Sequence, residues 1–139
     1  MSREFISHSA DDTQKIAEEL AKTLKPGDII LYEGDLGAGK TTFTKGIAKV
    51  LGITEAVTSP TFALINEYYG KIPLFHFDLY RINSADDLYA IGFFDYLDRG
   101  GIIAAEWSEN IPELEGELEN VIKVRIEKIS DNERRIVIV

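Results

Sequence analysis

The chain contains no cysteine. Disulfides, thiol nucleophiles and zinc–thiolate sites are therefore excluded, and the composition suits a reducing compartment. It also lacks any apolar run approaching the roughly 20 residues that a membrane helix needs. The opening MSREFISHSADD has no apolar core of the kind a signal peptide carries. The expectation is a cytoplasmic chain without membrane association. Positive charge is scarce: 15 Lys+Arg face 24 Asp+Glu, a formal net charge of -9. Nucleic-acid affinity rests largely on cations that neutralise phosphates, so no strong direct binding to RNA or DNA is expected and proteins are better-suited partners. The densest acidic run, ELEGELE at Glu113 to Glu119, reads as solvated surface, with an acidic docking face as the alternative.

What remains is ordinary globular material. The 139 residues are 45% hydrophobic and 28% charged, enough for one well-buried core. No repeat, low-complexity tract or linker divides them, so residues 1–139 are expected to form one domain. Ser9-Ala10-Asp11-Asp12 resembles a capping box that starts a helix. Ile16, Leu20 and Leu24, with Ala17 and Ala21, then recur at helical spacing until Lys25-Pro26-Gly27 stops them. Asp28 to Glu33 is a nearly continuous apolar run, the pattern of a strand buried on both faces. Thr42 to Leu51 reads as the next helix, ended by Gly52. Ala63 to Tyr68 and Pro73 to Asp78 read as a hairpin. Short helices are expected within Ala85 to Ile91 and Phe93 to Leu97, a buried strand at Ile102 to Ala105, and a terminal hairpin from Val121 to Ile129 and Arg134 to Val139.

Between the apolar strand and the second helix stands GDLGAGKTT, Gly34 to Thr42, which fits the phosphate-loop pattern G-x-x-x-x-G-K-[ST] without a gap. Residues without a bulky Cβ let successive backbone N–H groups converge on phosphate oxygens, and the positive end of the following helix adds to the field. The backbone of Asp35, Gly37, Ala38 and Gly39 is the candidate cradle. Lys40 supplies a mobile cation to the outer phosphates, and the Thr41 hydroxyl is placed to ligate Mg²⁺. An incidental glycine-rich turn is the bland alternative, and the strand–loop–helix context argues against it.

A magnesium–nucleotide site also needs a carboxylate. Two apolar strands end in one: FHFD at Asp78 and IIAAE at Glu106. Ligands of open α/β sheets bind beyond the carboxyl ends of strands, where both acids would sit. One is expected to hold Mg²⁺ and the other to orient the attacking water, although either could be a simple strand-end cap. Thr58-Ser59-Pro60-Thr61 offers three hydroxyls where many phosphate-loop proteins carry a switch, and reads equally as a turn. His76 reads as a strand-packed histidine, Arg81 as a phosphate contact or a partner for acids, and Trp107 as core or pocket lining. No Asn-Lys-x-Asp guanine reader is present, which favours ATP over GTP. An arginine-rich lid of the kind small-molecule kinases carry is also missing.

Four blocks in this order give the chain a close likeness: GDLGAGKTT at Gly34 to Thr42, TSPTF at Thr58 to Phe62, HFDLYR at His76 to Arg81 and EWSE at Glu106 to Glu109. Together they resemble the TsaE (YjeE) family, bacterial ATPases of tRNA threonylcarbamoyladenosine synthesis, and the resemblance covers nearly the whole chain. It implies an α/β, three-layer phosphate-loop NTPase fold, a mixed sheet with a parallel core flanked by antiparallel strands. It further implies weak ATP hydrolysis stimulated in a complex with the TsaD and TsaB proteins, which would meet tRNA only indirectly. Lys40 and Thr42 would hold phosphates, Thr41 and Glu106 would ligate Mg²⁺, and Asp78 would be the Walker B-like acid. Thr61 would belong to the switch loop, Trp107 to the nucleotide surroundings, and the helix start at Ser9 to Thr13 would pack near the adenine. The resemblance favours Glu106 over Asp78 as the direct metal ligand, whereas the strand pattern alone favours Asp78. A phosphate-loop kinase and a nucleotide-gated regulatory module with negligible turnover are the alternatives.

Overall fold

A computed structural model describes residues 2–34, 38–58, 65–107, 111 and 114–139 of the chain. Seven strands form one mixed sheet: β1 (Arg3–Ser7), β2 (Ile29–Glu33), β3 (Ile65–Tyr68), β4 (Leu74–Asp78), β5 (Ile102–Glu106), β6 (Val121–Lys128) and β7 (Arg134–Ile138). Their order is β1-β7-β6-β2-β5-β4-β3. The centre is parallel, β6 beside β2 beside β5 beside β4, and antiparallel strands close both edges. Helices α1 (Ala10–Ala21) and α2 (Lys40–Val50) cover one face. The other face carries α3 (Ala85–Ala90), a 3-10 turn at Phe93–Asp98 and the short α4 (Leu114–Glu117). This is the expected three-layer α/β arrangement.

Hydropathy patterns explain the layering. In β2, Ile30 and Tyr32 pack towards α1 and α2, while Ile29 and Leu31 pack towards α3. Burial on both faces is why that strand reads as an unbroken apolar run. The β6–β7 hairpin is covered on one face only. Val124, Ile126, Ile136 and Ile138 face α1 and α2, and the intervening residues are charged or half-buried, so the sequence alternates. Ser9 caps α1 by accepting from Asp12 N at 3.1 Å, and Asp12 accepts in return from His8 N at 3.0 Å. Helix α2 ends as Gly52 implied, with Ile53 N donating to Ala48 O at 3.0 Å and Gly52 N to Lys49 O at 3.3 Å.

Three expectations need correction. One helix and one strand were expected ahead of Gly34, but β1 also precedes it. Only its last residue, Ser7, is fully buried, so it shows little apolar alternation, and it exists by pairing with β7 from Arg3↔Ile138 to Ser7↔Arg134. Helix α1 ends at Ala21, before the Lys25-Pro26-Gly27 stop, because a turn closes first with Thr23 Oγ1 donating to Leu20 O at 2.7 Å. The acidic run at Glu113 to Glu119 is not surface throughout: Leu114 is buried in the α3-side core.

Candidate functional site

Strand β2 is parallel to β5, β4 lies beyond it, and the carboxyl ends of all three meet at one rim of the sheet. In β4, Phe75 and Phe77 pack on the α3 face, so His76 and Asp78 share the α2 face with Leu74. Glu106 shares that face with Ala104 and lies opposite Asp78 in register. The phosphate-loop helix and both candidate acids therefore occupy the same side of the sheet at the same end.

The loop is shaped by its glycines. Gly34 leaves β2 with φ 134°, and a Cβ there would lie 2.2 Å from the Ile126 carbonyl oxygen. No other residue fits that approach. Gly39, at φ 113°, sits at the N-cap of α2 and supplies no side-chain cap to the start of that helix. Asp35 and Gly37 lie outside the described residues. Ala38 is buried, and its carbonyl accepts a 2.9 Å hydrogen bond from Arg134 Nε, on the far hairpin strand. The same guanidinium donates through Nη1 to Ser130 O at 2.7 Å and Glu133 O at 3.0 Å, so it ties the hairpin tip to the loop.

Lys40 opens α2 and is 5% exposed. Its Nζ stands 4.4 Å from the centroid of the Trp107 ring and has no hydrogen-bond partner among the described residues. A buried ammonium with three unanswered donors is costly unless something anionic arrives. Trp107 follows β5 at φ 66°, left-handed backbone that strains a bulky residue, and its ring meets Tyr80 edge-on at 5.1 Å. One turn into α2, Thr44 Oγ1 donates to Lys40 O at 2.8 Å and accepts from Tyr32 OH at 2.8 Å. Burial pushes the Tyr32 phenol far above its ordinary range, so it stays a neutral donor that fastens the end of β2 to the helix. Thr41 and Thr42 are half-buried on that first turn.

The two acids differ in surroundings. Asp78 is half-buried, and its Oδ1 accepts from Tyr80 N at 3.0 Å. Glu106 is 8% exposed, and its Oε2 lies 2.6 Å from Nε2 of the fully buried His76. On the other flank of the loop a cleft of about 190 Å³ opens between Ser9, Ala10 and Thr13 of α1, Gly39 and Thr42, and the hairpin tip at Asp131, Asn132 and Arg134. Its position next to α2 suits the sugar and base of a nucleotide whose phosphates lie on the loop.

The structure thus brings together Ala38, Gly39, Lys40, Thr41, Thr42, Asp78, Glu106 and Trp107. Of the switch candidates, Thr58 is tied to Tyr68, whose OH accepts from Thr58 N at 3.1 Å; Ser59, Thr61 and Phe62 lie outside the described residues, as do Ser108 and Glu109. Arg81 is exposed. Sequence reasoning missed the engagement of His76 with Glu106, for which a histidine inside an apolar strand was the available signal. It also missed Arg134, which carries none, being 96 residues from the carbonyl it holds.

Oxygen donors suit Mg²⁺. Among the described residues no group of three or more His, Cys, Asp and Glu gathers into a preformed cage. One hydroxyl and one or two carboxylates are enough for Mg²⁺ when it arrives with phosphates and keeps several waters. No helix among the described residues is long and apolar enough to cross a membrane.

A family model described as "Threonylcarbamoyl adenosine biosynthesis protein TsaE" matches residues 7–136. The chain is 43% identical over 127 residues to the tRNA threonylcarbamoyladenosine biosynthesis protein TsaE of Bacillus subtilis, covering 91% of this chain and 78% of that one. Against the protein of the same name from Aquifex aeolicus it is 46% identical over 133 residues, covering 89% and 95%. A crystal structure of YdiB from Bacillus subtilis superposes with a TM-score of 0.80 at 36% identity, over 99% of this chain and 84% of the other.

Proposed function

The chain belongs to the TsaE family of threonylcarbamoyl adenosine biosynthesis proteins, and from that premise we propose that it is a cytoplasmic, partner-dependent ATPase. In this reading it hydrolyses Mg²⁺–ATP in a complex with TsaD and TsaB during threonylcarbamoyladenosine modification of tRNA, touching tRNA only through its partners. The observation that carries the reading is the Lys40 ammonium, buried at the start of α2 with no hydrogen-bond partner among the described residues. A nucleotide's outer phosphates supply what it lacks, and the α2 N-terminus adds its own attraction for anions.

The proposed roles combine the phosphate-loop motif and the family resemblance with the positions of the described residues. The N–H groups of the loop from Asp35 to Gly39 cradle the phosphates, and Lys40 and Thr42 hold their oxygens. Thr41 and Glu106 hold Mg²⁺, which when bound neutralises charge developing on the transferring phosphoryl group. Asp78, across the register from Glu106, orients the attacking water. Thr61, outside the described residues, is assigned to the switch loop by the family resemblance alone, and Trp107 shields Lys40 from water, strengthening its attraction to phosphate. The adenosine end occupies the cleft between Ser9, Thr13 and the hairpin tip.

The test is reconstituted tRNA modification with γ-labelled ATP, with and without TsaD and TsaB. Label released as free phosphate, stimulated by the partners and lost in Lys40→Ala, supports the reading. Label transferred to an acceptor makes the chain a kinase, and partner binding gated by ATP without turnover makes it a regulatory module. Glu106→Gln is expected to remove the Mg²⁺ dependence of ADP affinity; if Asp78→Asn alone does so, the two acids exchange roles.

A further inference from the structure

His76 is unaccounted for by the roles above. It is fully buried in the middle of β4, between Phe75 and Phe77, in a strand otherwise built of Leu and Phe up to its terminal acid. A position of that kind is ordinarily filled by an apolar side chain. The imidazole meets one polar group, Glu106 Oε2 at 2.6 Å, and its Nδ1 has no partner among the described residues. A residue kept only for packing would not carry an unanswered ring nitrogen in among apolar side chains.

The direction of the contact follows from inventory. A carboxylate only accepts, so in this contact Nε2–H is the donor and Glu106 Oε2 the acceptor. The pairing runs diagonally across the sheet: His76 lies opposite Ala104 in register, and Glu106 lies two residues further along β5. Glu106 is therefore gripped from behind, on the side away from the strand ends. Oε2 is committed to the imidazole, and Oε1 of a side chain 11% exposed remains for a cation. Ligating carboxylates are generally fixed in this way by a second hydrogen bond.

We propose that His76 is a positioning residue that holds Glu106 in the orientation in which Oε1 meets Mg²⁺. The inference rests on the reading of Glu106 as a metal ligand. It does not require His76 to change protonation or to touch nucleotide, metal or water. Its effect is confined to one quantity, the gain in nucleotide affinity that Mg²⁺ brings.

Calorimetric titration of ADP into the full chain, once with Mg²⁺ and once with a chelator, reads that gain directly. His76→Leu is expected to lower the Mg²⁺-dependent gain at least about tenfold, the usual effect of losing such a support, while Mg²⁺-free ADP affinity stays within about twofold. His76→Gln, whose amide N–H reaches the position of Nε2, is expected to restore most of the gain. Should the Leu variant fail to fold, His76→Asn takes its place with the same expected loss, because its amide stops short of Glu106. An unchanged gain in the Leu or Asn variant, an equal loss in the Gln variant, or a parallel fall in Mg²⁺-free affinity overturns the proposal. Glu106→Gln in the same titration separates the two claims. If it removes the gain and His76→Leu does not, only the positioning role fails. If it leaves the gain intact, the assignment of Glu106 as metal ligand fails, and the role of His76 with it.

Discussion

Replacing Lys40 with methionine separates what the site costs the fold from what it does for the ligand. Lys40 is 5% exposed, and its ammonium makes no hydrogen bond among the described residues. Leaving a buried polar group unanswered costs about 1–3 kcal/mol, more when it is charged. The Trp107 ring, 4.4 Å away, returns about 1–2 kcal/mol of that as a cation–π contact. Methionine keeps most of the stem's packing and its thioether still favours the aromatic ring. The balance predicts that Lys40→Met stabilises the nucleotide-free chain by about 1 kcal/mol, raising Tm by roughly 3–5 °C at this size. The same change removes charge-assisted bonds to phosphate worth about 2–3 kcal/mol, a loss of roughly 30- to 150-fold in nucleotide affinity. Thermal unfolding with and without Mg²⁺–ATP at about 100 Kd should then give opposite rankings. Nucleotide adds about 2.7 kcal/mol to the wild type under those conditions and little to the variant. A nucleotide-free Tm that falls by several degrees, or a nucleotide-induced shift that survives, refutes the view that this ammonium is held in reserve for a ligand.

Three further outcomes are expected. Gly34→Ala places a Cβ 2.2 Å from the Ile126 carbonyl at φ 134°, and that carbonyl belongs to a paired strand; the cost is roughly 4 kcal/mol or more, visible as lost expression or a Tm lower by over 10 °C. Arg134→Ala frees the Ala38 carbonyl and the hairpin tip together and should weaken ADP binding about tenfold, from the roughly 1.5 kcal/mol of one charge-assisted bond. Arg134→Lys should not rescue it, since a point-charge ammonium cannot reproduce the fork; full affinity in either variant would remove the hairpin from the site. Glu33 sits beside Lys123 and Arg125: partial burial pushes its carboxyl up, but hydrogen bonds and charge from the two bases outweigh this and hold it below the usual range. A depressed carboxyl stabilises the fold above its unfolded value. The stability gap between wild type and Glu33→Gln in urea denaturation should therefore persist at neutral pH and close as pH falls below about 4.5, and a gap that widens there would contradict the pairing.

The parts of the site that were legible are those where backbone shape dictates residue type locally. Gly34 is readable because its φ and its close approach to Ile126 admit nothing else, Gly39 because of its left-handed φ, and Lys40 and Thr41 because they start a helix straight after them. Strands β2, β4 and β5 were legible because burial on two faces leaves almost only apolar residues, with Asp78 and Glu106 marking where the last two runs end. Strand β1 was not, because an edge strand with one buried residue has no pattern of its own and is defined by its partner. His76 was read as core, and it is core by exposure; its role depends on Glu106, 30 residues away, which no local pattern encodes.

Arg134 and Gly34 together change how the C-terminal hairpin should be understood. By topology β6 and β7 extend the sheet away from β4 and β5, and their alternating sequence suggests only an edge shielded on one face. Yet the first residue of the phosphate loop lies against the Ile126 carbonyl of β6, and its Ala38 carbonyl is held by Arg134 of β7. The loop is thus braced from the hairpin side at both ends, while Glu106 and Trp107 face it from the β5 side. A nucleotide lying along the loop would touch both halves, its phosphates against Lys40 and its far end in the cleft beside Asn132. A force that shifts the hairpin tip acts on the Arg134 guanidinium, which holds Ser130 O and Ala38 O at once, and so is passed to the Ala38 end of the loop. The hairpin is on this geometry a wall of the site, coupled to the loop through the Arg134 side chain at Ala38 and through the close approach of Gly34 to Ile126.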